Sequence, residues 1–332
     1  MTGRSGPLRV AFLGGFSACF VEPVRARLAE PCELLRAEER DIVARMPEVD
    51  VLVSLAFTAA MGAAASRLRL VQVPGAGTDR VDRAALPAGA LLANAYGHEA
   101  GIAEYVLGAM LSWNRGLGRL DASLRRGHWD AAWSHDAPPP PPAPELAGKT
   151  LGILGYGRIG QALARRARAF DMEVRAIRRE PRGTDAGGLA FLGGPESLDD
   201  LLRASDYLAI TLALTPETRG LLGARELSLM KRSAMLVNVA RGEVVNEDAL
   251  YEALRKGTIA GAALDVWYRY PAGPGPTLPA TRPFHELSNV LMTPHVSGWT
   301  DGMLSARADV IAGNIERVGR GEPPLHQVLT RS

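Results

Sequence analysis

Short apolar runs alternate with amphipathic stretches along most of the chain, the pattern of strands buried on both faces and connected by helices. In the first hundred residues the runs at 8–13, 51–55 and 70–73 predict strands, and the stretches at 22–29 and 59–66 predict helices. A longer apolar-faced helix is predicted over 98–114, with no glycine or proline cluster to mark a free linker, so it joins two domains. Residues 137–144 are nearly all proline, which excludes helix and predicts an extended, solvated loop. Beyond it, strands are predicted at 151–154, 173–177, 207–212, 235–238, 261–266 and 290–293 with helices between them, and a last helix over 302–320 returns to the first domain. This alternation predicts an α/β architecture of parallel sheets covered by helices, with two mononucleotide-binding halves in the second domain.

The strand at 151–154 breaks into glycines at 155, 157 and 160, just ahead of a helical stretch over 161–170. A dinucleotide fingerprint requires this context: Gly155 permits the tight turn, Gly157 lets backbone amides approach a pyrophosphate, and Gly160 lets the helix press close to its strand. The pyrophosphate then rests on the positive N-terminus of that helix. Tyr156, Arg158 and Ile159, between the glycines, are counted with them as cofactor-binding candidates.

Composition narrows the classes that remain. A chain of 332 residues with 47% hydrophobic content supports two globular domains with real cores. The 38 basic and 36 acidic residues leave a net charge of +2, and the arginines are spread along helices, so nucleic acid and membrane surfaces have no electrostatic case as partners. Cys19 and Cys32 lack metal-ligand spacing, which leaves no metal site and reads as reduced thiols, pointing to a cytoplasmic protein. No run approaches the roughly 20 apolar residues of a membrane span.

Two segments carry candidate chemistry. Asn238-Val239-Ala240-Arg241-Gly242 follows an apolar strand, at the edge where open parallel sheets bind ligands, and an arginine there suits a carboxylate held by two parallel hydrogen bonds. Thr293-Pro-His295-Val-Ser-Gly298 places a histidine after another strand, where near-neutral titration suits moving a proton while a hydride moves nearby.

In these motifs the chain resembles the D-isomer-specific 2-hydroxyacid dehydrogenase family. The likeness is carried, in order, by Gly75-Ala76-Gly77-Thr-Asp79, Ala103-Glu104, Gly155 to Gly160, Thr215-Pro-Glu-Thr-Arg219-Gly220, Asn238 to Gly242, Gly261-Ala-Ala-Leu-Asp265-Val and Thr293-Pro-His295. The resemblance implies a Rossmann-type doubly wound parallel sheet for a cofactor domain over 98–295, and a discontinuous flavodoxin-like substrate domain from 1–97 and 296–332. It implies hydride transfer between NAD(P)(H) and a small 2-hydroxy or 2-keto acid. Backbone amides at Ala76 and Gly77 and the side chain of Arg241 would hold the acid group, Arg241 would polarise the carbonyl, and His295 would be the acid/base. Val239, Ala240, Arg241, His295 and Gly298 would line the cofactor, and Asp265 would lie beside the nicotinamide carboxamide. A homodimer, formed through residues 100–145, is also implied.

The chain departs from the family pattern in four places. Tyr270 stands where the family carries a glutamate for the catalytic histidine, so Tyr270 is the candidate partner of His295; a phenol supplies no negative charge at neutral pH, and the imidazolium of His295 is expected to be less stabilised. Glu99, Glu286 and Asp301 are other candidates for that partnership. At the end of the second strand, where the family's NAD-type aspartate would bind a ribose 2′-hydroxyl, the chain reads Ile177-Arg178-Arg179-Glu-Pro-Arg182, and arginines suit a 2′-phosphate, which favours NADP(H) over the alternative NAD(H). Thr211 and Ala213 replace a histidine and a proline beside the cofactor, and His98 opens the joining helix near a substrate-binding position of the formate enzymes. Two other readings follow: oxidation of a non-keto substrate such as formate, phosphite or a phosphonate, and a nucleotide-sensing protein like the family's corepressors.

Overall fold

Every strand pairing in the computed structural model, which describes residues 6–131, 139–181 and 188–328, is parallel. The chain divides into two units, Met1–His98 with Trp299–Ser332, and Glu99–Gly298. The crossings therefore fall at 98/99 and 298/299, against 97/98 and 295/296 from the sequence.

The first unit holds strands β1 (Leu8–Leu13), β2 (Cys32–Ala37), β3 (Val51–Val53), β4 (Leu70–Gln72) and β5 (Leu91–Ala93), in the order β2-β1-β3-β4-β5. This is the flavodoxin-like order. Successive side chains of a strand face opposite sides of the sheet, and the apolar runs use both sides. Val10 and Phe12 join a core with Ile311 and Ile315 of the last helix, Asp301–Gly319, whereas Ala11 and Leu13 join Ile42 and Met61 of α3 (Ile42–Arg45) and α4 (Ala59–Ala64). Two short helices, α1 (Gly14–Ala18) and α2 (Val21–Arg25), follow β1. Asn314 of the last helix donates to Gln72 Oε1 at 2.7 Å, both buried, which fastens that helix to the sheet.

The second unit begins with α5 (Glu99–Arg115) and α6 (Leu117–Leu124). Its strands are β6 (Thr150–Leu154), β7 (Glu173–Ile177), β8 (Phe191–Gly193), β9 (Tyr207–Ile210), β10 (Met235–Asn238), β11 (Gly261–Leu264) and β12 (Val290–Met292), in the order β8-β7-β6-β9-β10-β11-β12. The order reverses between β6 and β9, the switch point at which doubly wound sheets bind ligands. Leu151, Ile153 and Val237 face α5 and α7 (Arg158–Arg168), while Leu154, Leu208 and Leu236 face α8 (Leu198–Ala204), α9 (Ala224–Leu229) and α10 (Glu247–Arg255). Asn246 caps α10 by accepting from the Ala249 N–H, a bond of the kind that contributes about 1 kcal/mol.

Strands β2, β5 and β8 have no counterpart in the apolar pattern, and each is an edge strand of its sheet. At the margin of the sheet neither face is fully covered, so β2 exposes Glu33 on one side and Arg36 on the other, and β5 and β8 are too short to show alternation. The proline-rich segment is exposed and without regular structure over 139–144; positions 137 and 138 lie outside the described residues. Among the described residues no helix is long and apolar enough to cross a membrane, and no group of His, Cys, Asp and Glu is arranged to hold a metal ion.

Candidate functional site

At the carboxyl end of β6 the chain turns through Gly155, whose φ of +108° suits glycine and where a Cβ would lie 2.7 Å from the Leu212 nitrogen. The Thr211 hydroxyl donates to the Gly155 carbonyl at 2.6 Å, so this strand end and the next brace the turn together. A Cβ on Gly160 would come 2.6 Å from the same carbonyl, whereas one on Gly157 would meet nothing within 4 Å. The first and third glycines thus admit close backbone contacts, and the second borders open space. Helix α7 starts at Arg158 with no side-chain cap on Gly157 and no acidic residue in its first turn, which leaves the positive helix end suited to an anion. Tyr156 is buried and Arg158 exposed. These features fit a dinucleotide pyrophosphate.

Beyond β7, Arg178 is half-buried with its N–H donating to the Gly193 carbonyl, and Arg179 is exposed. The Glu217 carboxyl is held below the usual range, first by the Thr215 hydroxyl and in smaller part by the charge of Arg179. The charge of Arg179 therefore reaches the loop after β9, where the Thr218 hydroxyl donates to the Ala213 carbonyl at 2.8 Å. Arg182 lies outside the described residues.

At the end of β10 the buried amide of Asn238 shapes the following turn: its Nδ2 donates to the Arg241 carbonyl at 2.9 Å and its Oδ1 accepts from the Ala240 N–H at 3.0 Å. Val239 and Ala240 are buried, and Arg241 is half-buried on extended backbone. A Cβ on Gly242 would lie 2.6 Å from the Trp267 carbonyl, so only glycine lets the segment after β11 come this close to the arginine turn.

That segment and the one after β12 meet through Asp265. Its fully buried carboxylate accepts from the Thr293 hydroxyl at 2.6 Å and from the N–H groups of Val296 and Ser297, each at 2.8 Å. The single hydrogen of Thr293 is thereby used, so the Tyr105 phenol of α5, 2.6 Å away, is the donor to Thr293 Oγ1. Burial pushes the Tyr105 phenol up from its ordinary value, which keeps that hydrogen in place. Trp267 Nε1 donates to the Thr293 carbonyl at 2.8 Å. His295, clamped between these anchors, has a left-handed φ of +59°, a conformation costing about 1–2 kcal/mol for a residue with a Cβ.

Tyr270 Oη lies 2.9 Å from His295 Nδ1, the rings tilted by 53°, and accepts from the Trp267 N–H at 3.3 Å. Burial raises the Tyr270 phenol above its ordinary value, against the lowering influence of that N–H and of the Arg241 charge. Glu286 instead lies 3.9 Å from the His285 imidazole.

Arg241, Asp265, Tyr270 and His295 thus gather at the carboxyl ends of β10, β11 and β12, on the edge that carries the glycine turn of β6. Ala76, Gly77 and His98 belong to the first unit. There the Asn94 amide donates to the Ala76 carbonyl at 2.8 Å, and His98 is buried. Sequence reasoning missed Thr293 and Trp267 as anchors, although Thr293 stands inside a quoted segment and Trp267 directly follows another. It also missed Tyr105, whose contact joins positions 188 residues apart and leaves no local signal.

Residues 107–297 match the family described as D-isomer specific 2-hydroxyacid dehydrogenase, NAD binding domain. A D-3-phosphoglycerate dehydrogenase from Methanocaldococcus jannaschii is 33% identical over 293 residues, covering 86% of this chain; the chain spans about half of that protein, 52%. A glyoxylate reductase from Korarchaeum cryptofilum is 35% identical over 295 residues, 86% of this chain and 85% of that protein. Among solved structures, an NADPH-dependent glyoxylate/hydroxypyruvate reductase from Sinorhizobium meliloti, in complex with NADP and malonate, superposes with a TM-score of 0.80 at 30% identity, covering 97% of both chains.

Proposed function

Because the chain belongs to the D-isomer specific 2-hydroxyacid dehydrogenase family, oxidoreductases that act on CH–OH donors, we propose that it interconverts a small 2-keto acid and its 2-hydroxy acid with NADP(H). The observation that supports this reading is that Arg241, after β10, and His295, after β12, stand at one edge of a doubly wound sheet, with the Arg241 charge acting on the phenol of Tyr270, whose Oη lies 2.9 Å from His295 Nδ1. The bound nicotinamide supplies or takes the hydride. Arg241 holds the substrate carboxylate with two parallel N–H donors and polarises the carbonyl. His295 gives a proton to the keto oxygen during reduction and takes one from the hydroxyl during oxidation. Gly155, Gly157, Gly160 and the first turn of α7 receive the pyrophosphate.

NADP(H) is favoured by Arg178 and Arg179 at the end of β7, where guanidinium groups suit a 2′-phosphate, and the Sinorhizobium meliloti relative is described with NADP bound. Assembly as a homodimer is supported by the exposed apolar side chains Leu117 and Leu124 on α6 and Trp129 beyond it.

The test is NADPH and NADH consumption by the purified chain with glyoxylate, hydroxypyruvate and larger 2-keto acids, together with reduction of NADP+ by formate, phosphite and phosphonates. Turnover of a 2-keto acid, lost by about 10- to 150-fold in kcat/KM when Arg241→Ala removes a charged hydrogen-bond partner worth about 1.5–3 kcal/mol, supports the reading. Turnover confined to formate, phosphite or phosphonates refutes it in favour of a non-keto substrate. Equal kcat/KM with NADH overturns the cofactor preference, and sedimentation as a single chain overturns the dimer.

A further inference from the structure

The loop that leaves β4 is held in shape from the end of β5. We propose that Asn94 is a positioning residue for the reaction: its side-chain amide fixes the peptide between Ala76 and Gly77 so that the Gly77 N–H, beside that of Ala76, is turned and strengthened for the substrate carboxylate. The inference rests on the keto-acid reading and on those two backbone amides holding the acid group.

Beyond β4 and β5 the two segments still pair, the Val73 N–H donating to the Ala93 carbonyl at 2.8 Å and the Ala95 N–H to the Gly75 carbonyl at 3.0 Å. In a regular strand the next carbonyl would point the other way, because successive residues alternate in direction. The Ala76 carbonyl does not: it accepts from Asn94 Nδ2 at 2.8 Å, so two consecutive carbonyls face residues 94 and 95. In a trans peptide the carbonyl and the N–H point in opposite directions, and no peptide among the described residues is cis. The Ala76 and Gly77 N–H groups are therefore turned together to the side away from β5. Neither donates to a protein acceptor among the described residues, and both residues are half-buried. Two consecutive N–H groups on one side form the concave donor pair that receives an anion.

Asn94 suits this task by its chemistry and by its anchorage. The residue is buried, and its backbone N–H donates to the His326 carbonyl at 3.2 Å, which fixes the base from which the side chain reaches. The amide carries two hydrogens, one given to Ala76 and the other 3.4 Å from Tyr96 Oη. An aspartate of the same shape would set an acceptor against the carbonyl, and an alanine would leave the peptide free to turn. Hydrogen bonding at the carbonyl also polarises the peptide, which makes its N–H a better donor. The substrate carboxylate keeps its charge while hydride moves to or from the neighbouring carbon. Its hold by Gly77 is therefore equal in the ground and transition states, so losing that hold raises KM and spares kcat.

Two measurements test this on the full-length protein loaded with NADPH, with oxamate, an unreactive mimic of a 2-keto acid, as the probe. In the first, NMR of protein labelled at alanine carbonyls and glycine nitrogens follows the Gly77 amide, identified by its loss in Gly77→Ala, as oxamate is added. The Gly77 proton is expected to move downfield in the native protein and to move less in Asn94→Ala. In the second, Asn94→Ala raises the oxamate Kd and the keto-acid KM by about 3- to 10-fold, the effect of one neutral hydrogen bond, with kcat and NADPH affinity within about twofold. Oxamate binding that leaves the Gly77 amide unmoved overturns the proposal, and this result needs no substitution at position 94. An Asn94→Ala protein with the original oxamate Kd and KM overturns it too, as does one whose kcat and NADPH affinity fall along with them; in each case turnover by the native protein keeps the keto-acid reading standing. A native protein that neither binds oxamate nor reduces any 2-keto acid sinks that reading, and this proposal with it.

Discussion

Replacing Asp265 by asparagine keeps the shape of the side chain and takes away its charge and one acceptor. In the native loop the two oxygens satisfy a hydroxyl and two backbone N–H groups at 2.6–2.8 Å, all around a carboxylate with no exposed surface. An asparagine turned to keep its oxygen on Thr293 and Val296 points an NH2 at the Ser297 N–H; turned the other way, it abandons Val296 and no longer accepts from the Thr293 hydroxyl. Either choice loses at least one charge-assisted hydrogen bond, about 1.5–3 kcal/mol, and weakens those that remain, for a total near 3 kcal/mol. That exceeds the roughly 1–2 kcal/mol stored in the left-handed backbone of His295, so the 293–298 loop relaxes toward ordinary φ values and the imidazole leaves its place. For a unit of this size, Glu99–Gly298, such a loss lowers the melting temperature by about 6–12 °C. The assay is calorimetric melting with kcat measured well below the transition; kcat is expected to fall at least tenfold with the KM for cofactor less affected. Tyr105→Phe, which removes only the outermost donor of the chain, is the graded companion at about 1 kcal/mol. An Asp265→Asn protein that melts within about 2 °C of the original and keeps its kcat would refute the claim that this carboxylate holds the loop.

Three other outcomes follow. Gly160→Ala drives a methyl to 2.6 Å from the Gly155 carbonyl and is expected to cost about 1–3 kcal/mol and weaken dinucleotide binding, read by calorimetric titration with NADPH; unchanged affinity would remove the turn from the cofactor site. Arg178→Gln with Arg179→Gln raises the KM for NADPH at least tenfold while sparing NADH, in initial-rate measurements on each cofactor. Burial alone would raise the Asp206 carboxyl, but the Lys231 ammonium, the Thr150 N–H and the Lys149 charge hold it below its ordinary value. A lowered folded-state value gives stability that is present above the unfolded aspartate value and is lost as the pH falls through the folded one. Lys231→Met should therefore reduce the urea midpoint at neutral pH and flatten its decline below about pH 4, and parallel curves for the two proteins would contradict this.

Strands at 8–13, 173–177 and 235–238 coincide with apolar runs because buried parallel strands need apolar residues on both sides. Edge strands escape that requirement, which is why β2, with Glu33 and Arg36, was invisible. The same division runs through the candidate site. Glycines 155 and 160 announce themselves because close contact with Leu212 and Gly155 tolerates no side chain, and Arg241 and His295 stand in short local motifs. Tyr270 was legible only as a departure from a family pattern; its distance to Nδ1 depends on how the segment beyond β11 folds back against Gly242. Asp265 was read beside the nicotinamide carboxamide, and nothing in its local sequence indicated that its oxygens serve the backbone of the histidine loop 31 and 32 residues onward. Long-range hydrogen bonds are set by tertiary packing, which a periodicity does not encode.

The backbone at position 295 also sets what mutation can do to this lineage. A φ of +59° is tolerated by asparagine at least as well as by histidine and resisted by branched side chains. A single base change from a histidine codon to an asparagine codon would remove the proton transfer proposed for His295 while leaving the glycine turn untouched. For this geometry, loss of the imidazole and loss of the fold are separable.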